Sequence, residues 1–179
     1  MRKKLIEVAL PLEAINQGSK PETENPFLKG HPRAIHNWWA RTPLSVSRAV
    51  LFAQLIDDPE NEMPPAEARQ KREELLSLVA RLATWDGMSD EALIGQAREM
   101  IRDQFSGKAP EFWDMFAGRS SIPLEAQRLG LHVTSSDLNP VAVLIQKALM
   151  ELPPKFAGSA PVNPEARVSL LLDSRCRGT

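Results

Sequence analysis

The residues Asp114-Met115-Phe116-Ala117-Gly118-Arg119-Ser120-Ser121 stand between a short aromatic run and a helix-like stretch, and Asp137 follows Gly118 by nineteen positions. A ligand at such a turn lies outside the carboxyl end of a strand, against a helix N-terminus whose free N–H groups favour a carboxylate or phosphate. An acid at the end of the next strand suits a pair of ribose hydroxyls. A dinucleotide site wants three glycines so that the backbone can approach a pyrophosphate, and here only Gly118 is present. S-adenosylmethionine, an adenosine joined to an amino acid without a pyrophosphate, fits the residues better than NAD. The plain alternative is a strand-to-helix turn with two surface aspartates.

These residues need two strands and a helix to position them. Glu111 to Phe116 is short, aromatic and bounded by proline and glycine, which predicts a buried strand. Ile122 to Leu129 predicts a helix closed by Gly130, residues 131–136 a second strand, and Pro140 to Leu152 a helix with Asn139 as cap. The order strand, helix, strand, helix implies a right-handed parallel α/β crossover, the first half of a doubly wound, Rossmann-like sheet. It follows a helical region: a helix from Leu5 to Ile15 interrupted by Pro11, one capped at Thr42-Pro43 and ended by Asp57-Asp58-Pro59, one over 66–83 with a Glu67–Lys71 pair, and one capped by Ser89-Asp90-Glu91. Proline clusters mark loops near 20–32, 59–65 and 153–164. The expected organisation is a helical domain over 1–109, the first half of a doubly wound α/β domain over 110–158, and an irregular tail over 159–179.

The motifs themselves carry a resemblance. DMFAGRSSIPLEA, Asp114 to Ala126, is similar to the D-P-F-A-G-G-G-S-I-P-L-E-A motif of adenine-specific DNA methylases, and SDLNPVA, Ser136 to Ala142, to their S-D-L-N-P-V-A. Arg2 to Asn16, Gly30 to Asp57 and the PPKFAG of residues 153–158 resemble the same large proteins, which open with a domain of unknown function. The resemblance implies an S-adenosylmethionine site at Asp114, Phe116, Ala117, Gly118 and Asp137, with Asn139 and Pro140 shaping its adenine side, and DNA as the partner. Met115, Arg119 and Ser120 depart from the motif, and a side chain where the family has glycine at φ > 0 costs about 1 kcal/mol. Amino-group methylation also needs an Asp/Asn-Pro-Pro-aromatic turn to hold an extruded base. Neither Pro64-Pro65 nor Pro153-Pro154 provides it, so no catalytic residue is assigned, and the expectation is the truncated front part of a longer methylase.

A second candidate region precedes all of this. No acid lies between Glu24 and Asp57, while Lys29, Arg33, Arg41 and Arg48 are interleaved with His31, His36, Trp38 and Trp39. Such a mixture suits phosphates and unpaired bases, and Arg33, His36, Trp38, Trp39 and Arg41 are the nucleic-acid-binding candidates. On this footing the alternative function is a nonenzymatic DNA- or protein-binding module using residues 30–48. The competing reading makes the tryptophans core anchors and pairs the arginines with nearby acids. His132 reads as structural, and Glu73, Glu74, Glu125 and Glu151 read as helix surface.

Composition sets the outer bounds. Lys+Arg number 22 against 23 Asp+Glu, giving a formal net charge of -1, which argues against a uniformly basic nucleic-acid coat. No apolar run approaches the ~18 residues of a membrane span, and a cytoplasmic chain is expected. A single cysteine, Cys176, excludes an internal disulfide, and with three histidines it makes a poor zinc inventory.

Overall fold

A computed structural model describes residues 2–25, 28, 31–40, 42–160 and 163. The chain is mostly helical, with one small parallel sheet. The helices α1 (Leu5–Val8) and α2 (Leu12–Glu24) are separated around Pro11, as the sequence predicts. Pro21 lies inside α2, so the expected loop near 20–32 begins only after Glu24.

α3 (Leu44–Leu55) begins behind Pro43 rather than under a Thr42 cap. Its orphan N–H groups are satisfied from a distance: the buried Glu22 carboxylate accepts from the Leu44 N–H at 2.7 Å, the Ser45 N–H at 2.8 Å, and the Ser45 hydroxyl. Burial pushes the Glu22 carboxyl up, but the approach of His31 at 3.4 Å and the hydrogen bonds from Ser45 and Leu44 outweigh it and hold it below its ordinary value.

Pro65 occupies the first turn of α4 (Pro65–Leu82), where its missing N–H costs nothing, and Asp90 caps α5 (Glu91–Gln104) by accepting from the Leu93 N–H at 2.9 Å. Lys71 pairs with Glu74 at 2.9 Å, not with Glu67 as the spacing predicts.

The strands β1 (Glu111–Asp114) and β2 (His132–Ser135) pair in parallel, Glu111 opposite His132 and Asp114 opposite Ser135, with α6 (Ser121–Arg128) as the crossover. Exposure alternates along both strands. Phe112 and Val133 pack on the core while Trp113 stays 69% exposed, which corrects the expectation of a buried strand. A strand is covered on both faces only where a second layer lies over it, and the sheet formed by the described residues has two strands. Gly130 ends α6 at φ +86°, a left-handed conformation open to glycine without a Cβ penalty. The last predicted helix is α7 (Pro140–Gln146), a π-turn over Lys147–Glu151, and α8 (Leu152–Phe156). Pro153 and Pro154 thus sit in the first turn of a helix instead of a loop. Of the expected tail, 161–162 and 164–179 lie outside the described residues.

One apolar core crosses residue 109. Leu5, Phe52, Leu75, Val79, Leu82, Ala97 and Ile101 from the N-terminal helices pack with Ala126, Leu129 and Leu131 beyond β1. Arg48 reinforces that seam. It is buried on α3, and its guanidinium donates to the carbonyls of Leu82 at 2.8 Å and Thr84 at 2.7 Å and to the Glu125 carboxylate at 2.9 Å. Arg128 holds the other Glu125 oxygen. Arg48 is therefore no phosphate ligand, and Glu125 is not helix surface as expected but fully buried. Burial pushes the Glu125 carboxyl up and the Arg48 guanidinium down, against their mutual attraction.

Candidate functional site

The turn after β1 is built by its own backbone. Asp114 accepts from the Phe116 N–H at 3.0 Å, the Ala117 N–H donates to the Ser136 carbonyl at 3.0 Å, and the Ser120 N–H donates to the Ala117 carbonyl at 2.7 Å. Gly118 takes φ +50° and Ser120 φ +65°. Ser120 therefore carries the left-handed strain that its side chain predicts, and it does so fully buried, with no hydrogen-bond partner for its hydroxyl among the described residues.

The sequence spacing becomes a contact. Asp137 accepts the Gly118 N–H on Oδ2 at 2.8 Å and the Asn139 N–H on Oδ1 at 2.8 Å. These two backbone donors hold its carboxyl below the usual carboxylate range. An ionised carboxylate has about four acceptor positions, so each oxygen keeps a lone pair for a further donor. Gln146, at the end of α7, fixes the loop from the other side: its amide donates to the Gly118 carbonyl at 3.1 Å and accepts from the Ser135 hydroxyl at 3.1 Å.

Asp114, Phe116, Ala117, Gly118 and Asp137 line one cleft of about 220 Å³, together with Arg119, Ser121 and Ile122 at the start of α6. Asn139 and Pro140 lie outside that lining, and the Asn139 side chain caps α7 by accepting from the Val141 N–H at 2.9 Å. Arg119 is buried and tied back into the protein, its guanidinium donating to the Ser121 hydroxyl at 3.0 Å and the Thr42 carbonyl at 3.2 Å. The remaining wall is Trp38, Ala40 and Thr42, which the sequence did not connect with this site. No local signal joins them; only the fold brings residues 38–42 onto a turn near residue 118.

The nucleic-acid candidates separate. Arg33 turns inward and donates to the Glu22 carbonyl at 2.8 Å. His36, Trp38 and Trp39 form a chain of ring contacts, with centroids 6.2 Å and 4.8 Å apart, and Trp39 remains 82% exposed. Arg41 lies outside the described residues. Within the same segment His31 is buried and stacked on Trp85 at 5.5 Å, and no group of three metal-ligating side chains occurs among the described residues.

In a larger depression elsewhere the lining carboxylates of Asp57 and Asp58 are already engaged. It measures about 420 Å³, and Lys4 and Gln104 hold the first carboxylate and Arg72 the second.

Residues 9–78 match the family model described as "Protein of unknown function (DUF1156)". The match covers α2, α3 and α4 as far as residue 78, and includes Trp38, Ala40 and Thr42 of the cleft wall. No curated protein and no solved structure matches the chain. Among the described residues, no helix is long and apolar enough to cross a membrane.

Proposed function

We propose that the chain is the S-adenosylmethionine-binding part of a DNA adenine methyltransferase with an incomplete Rossmann-like sheet. The observation that supports this most directly is the Gly118 N–H bonded to an ionised Asp137 inside a cleft at the carboxyl ends of two parallel strands. That carboxylate would accept the ribose hydroxyls on its remaining lone pairs. The Ser121 and Ile122 N–H groups at the start of α6, beside the Arg119 guanidinium, would meet the ligand's carboxylate. Asp114 would stand near the ammonium, and Phe116, which is 78% exposed at the rim, would cover apolar parts of the ligand. The cleft is small against the ~300–1,000 Å³ of ordinary ligand pockets, so part of the ligand would lie over that rim.

Among the described lining residues no base or target-holding group is assigned, so the proposal extends to cofactor binding. DNA is the proposed partner of the complete activity. Titration calorimetry with S-adenosylmethionine tests the reading. Heat of binding that disappears on Asp137→Ala is expected; no heat at millimolar ligand, or heat unchanged by that substitution, removes it.

The nonenzymatic reading retains one specific observation, the exposed indole of Trp39, set edge-on against Trp38. It has lost Arg48 to the core and Arg33 to a backbone carbonyl. A gel shift with single-stranded DNA that persists in the absence of cofactor binding, and that Trp39→Ala abolishes, would favour it.

A further inference from the structure

The residues matched to the family of unknown function reach the glycine turn through one side chain. A Cβ placed on Gly118 would fall 2.8 Å from Nε1 of Trp38 and 3.4 Å from its Cδ1, so the pyrrole edge of the indole packs directly on the glycine. Trp38 is half-buried, yet it belongs to neither apolar cluster formed by the described residues. An aromatic residue that anchors a fold is ordinarily packed among core side chains. This one is packed against the backbone of a ligand-type turn and lines its cleft.

The indole is also held in place. Trp39 meets it edge-on with centroids 4.8 Å apart, and His36 lies at 6.2 Å. The segment carrying it is fastened at both ends. His31 is buried beside Glu22 and accepts the Arg33 N–H at 3.0 Å, and the Thr42 carbonyl accepts from Arg119, itself a wall of the cleft. A rigid aromatic ring at a cleft mouth supplies contact area at little further loss of conformational freedom when a ligand arrives.

We propose that Trp38 is a binding residue of the cleft, the wall against which an adenosyl ligand packs, and that completing this site is a function of the 9–78 segment. The assignment rests on the cofactor reading above and goes beyond it, because it makes the N-terminal segment part of the binding site.

The experiment uses the full chain with S-adenosylhomocysteine as the probe. Trp38→Ala is expected to weaken binding about tenfold, the scale on which an aromatic wall contributes when removed. Trp38→Phe, which keeps a ring, is expected to restore most of it, and the thermal midpoint is expected to hold in both because the indole lies outside the core. In wild-type protein the Trp38 indole N–H resonance, identified by its absence in Trp38→Phe, should shift on titration while that of Trp113 stays. Asp137-dependent binding with the Trp38 resonance unmoved and Trp38→Phe equal to wild type overturns this proposal alone. Absence of any binding by wild type overturns it together with the cofactor reading. Should Trp38→Ala not fold, the resonance and the phenylalanine variant still decide.

Discussion

The two sides of the β1–α6 turn handle polar groups and apolar surface in opposite ways. On the helical side, charges are buried and bonded: Glu22 serves the start of α3, and Arg48 spans three elements to Glu125. On the strand-end side, Met115, Phe116 and Leu138 stand 65%, 78% and 93% exposed, and Ser120 is held in a left-handed conformation. Apolar side chains on an open rim and backbone strain concentrate where a ligand or partner acts, whereas satisfied buried charges fix geometry. The first side is therefore a frame, and the second carries the proposed working surface.

That contrast is broken most severely at its centre. Arg48→Ala leaves the buried Glu125 with only Arg128 and should destabilise the protein by about 3–5 kcal/mol, read from urea unfolding. A loss below ~1 kcal/mol would mean that the frame does not depend on this charge cluster. Next in size, Glu22→Gln replaces the common acceptor of two N–H groups and one hydroxyl, and a loss of about 1–3 kcal/mol is expected by the same measurement.

The working surface answers in the other direction. Ser120→Gly removes a Cβ from φ +65° and should leave stability unchanged or raise it by up to ~1 kcal/mol. A clear destabilisation would show that the buried hydroxyl is a structural group after all. The smallest effect concerns pH. Arg72 donates to both oxygens of Asp58, at 2.7 and 2.8 Å, and holds its carboxyl below the ordinary value. A depressed folded-state pKa contributes stability fully above the unfolded value of ~3.9 and loses it as pH falls through the lower folded value. Replacing Arg72 by alanine should therefore flatten the acid limb of the stability curve and leave its shape above pH 6 alone.

The parts of this picture legible in the sequence are those encoded within a few residues. The Asp90 cap, the Asn139-Pro140 start of α7 and the Gly130 stop each depend on local backbone chemistry, and each stands where the pattern puts it. The pairing of Gly118 with Asp137 was legible as well, because one strand–helix–strand unit fixes the distance between its two turns. What escaped reading depends on distant partners. Arg48 and Glu125 are 77 positions apart, and each looks like surface charge until both are seen buried against the other. Trp38 reads as an exposed base-stacking ring or a core anchor, and only the fold sets it on Gly118. The short aromatic run of β1 misled because a bounded apolar stretch does not state how many layers will cover it.

Arg48 has a practical consequence for anyone dividing this protein. A cut between residues 109 and 110 would give one piece a guanidinium stripped of its counter-charge and the other an acid robbed of its main cation, each beside a raw apolar face. Isolated halves should then precipitate or stay molten, so fragment libraries and domain-wise expression are poor routes to this fold, and mixing the two pieces should recover what neither holds alone.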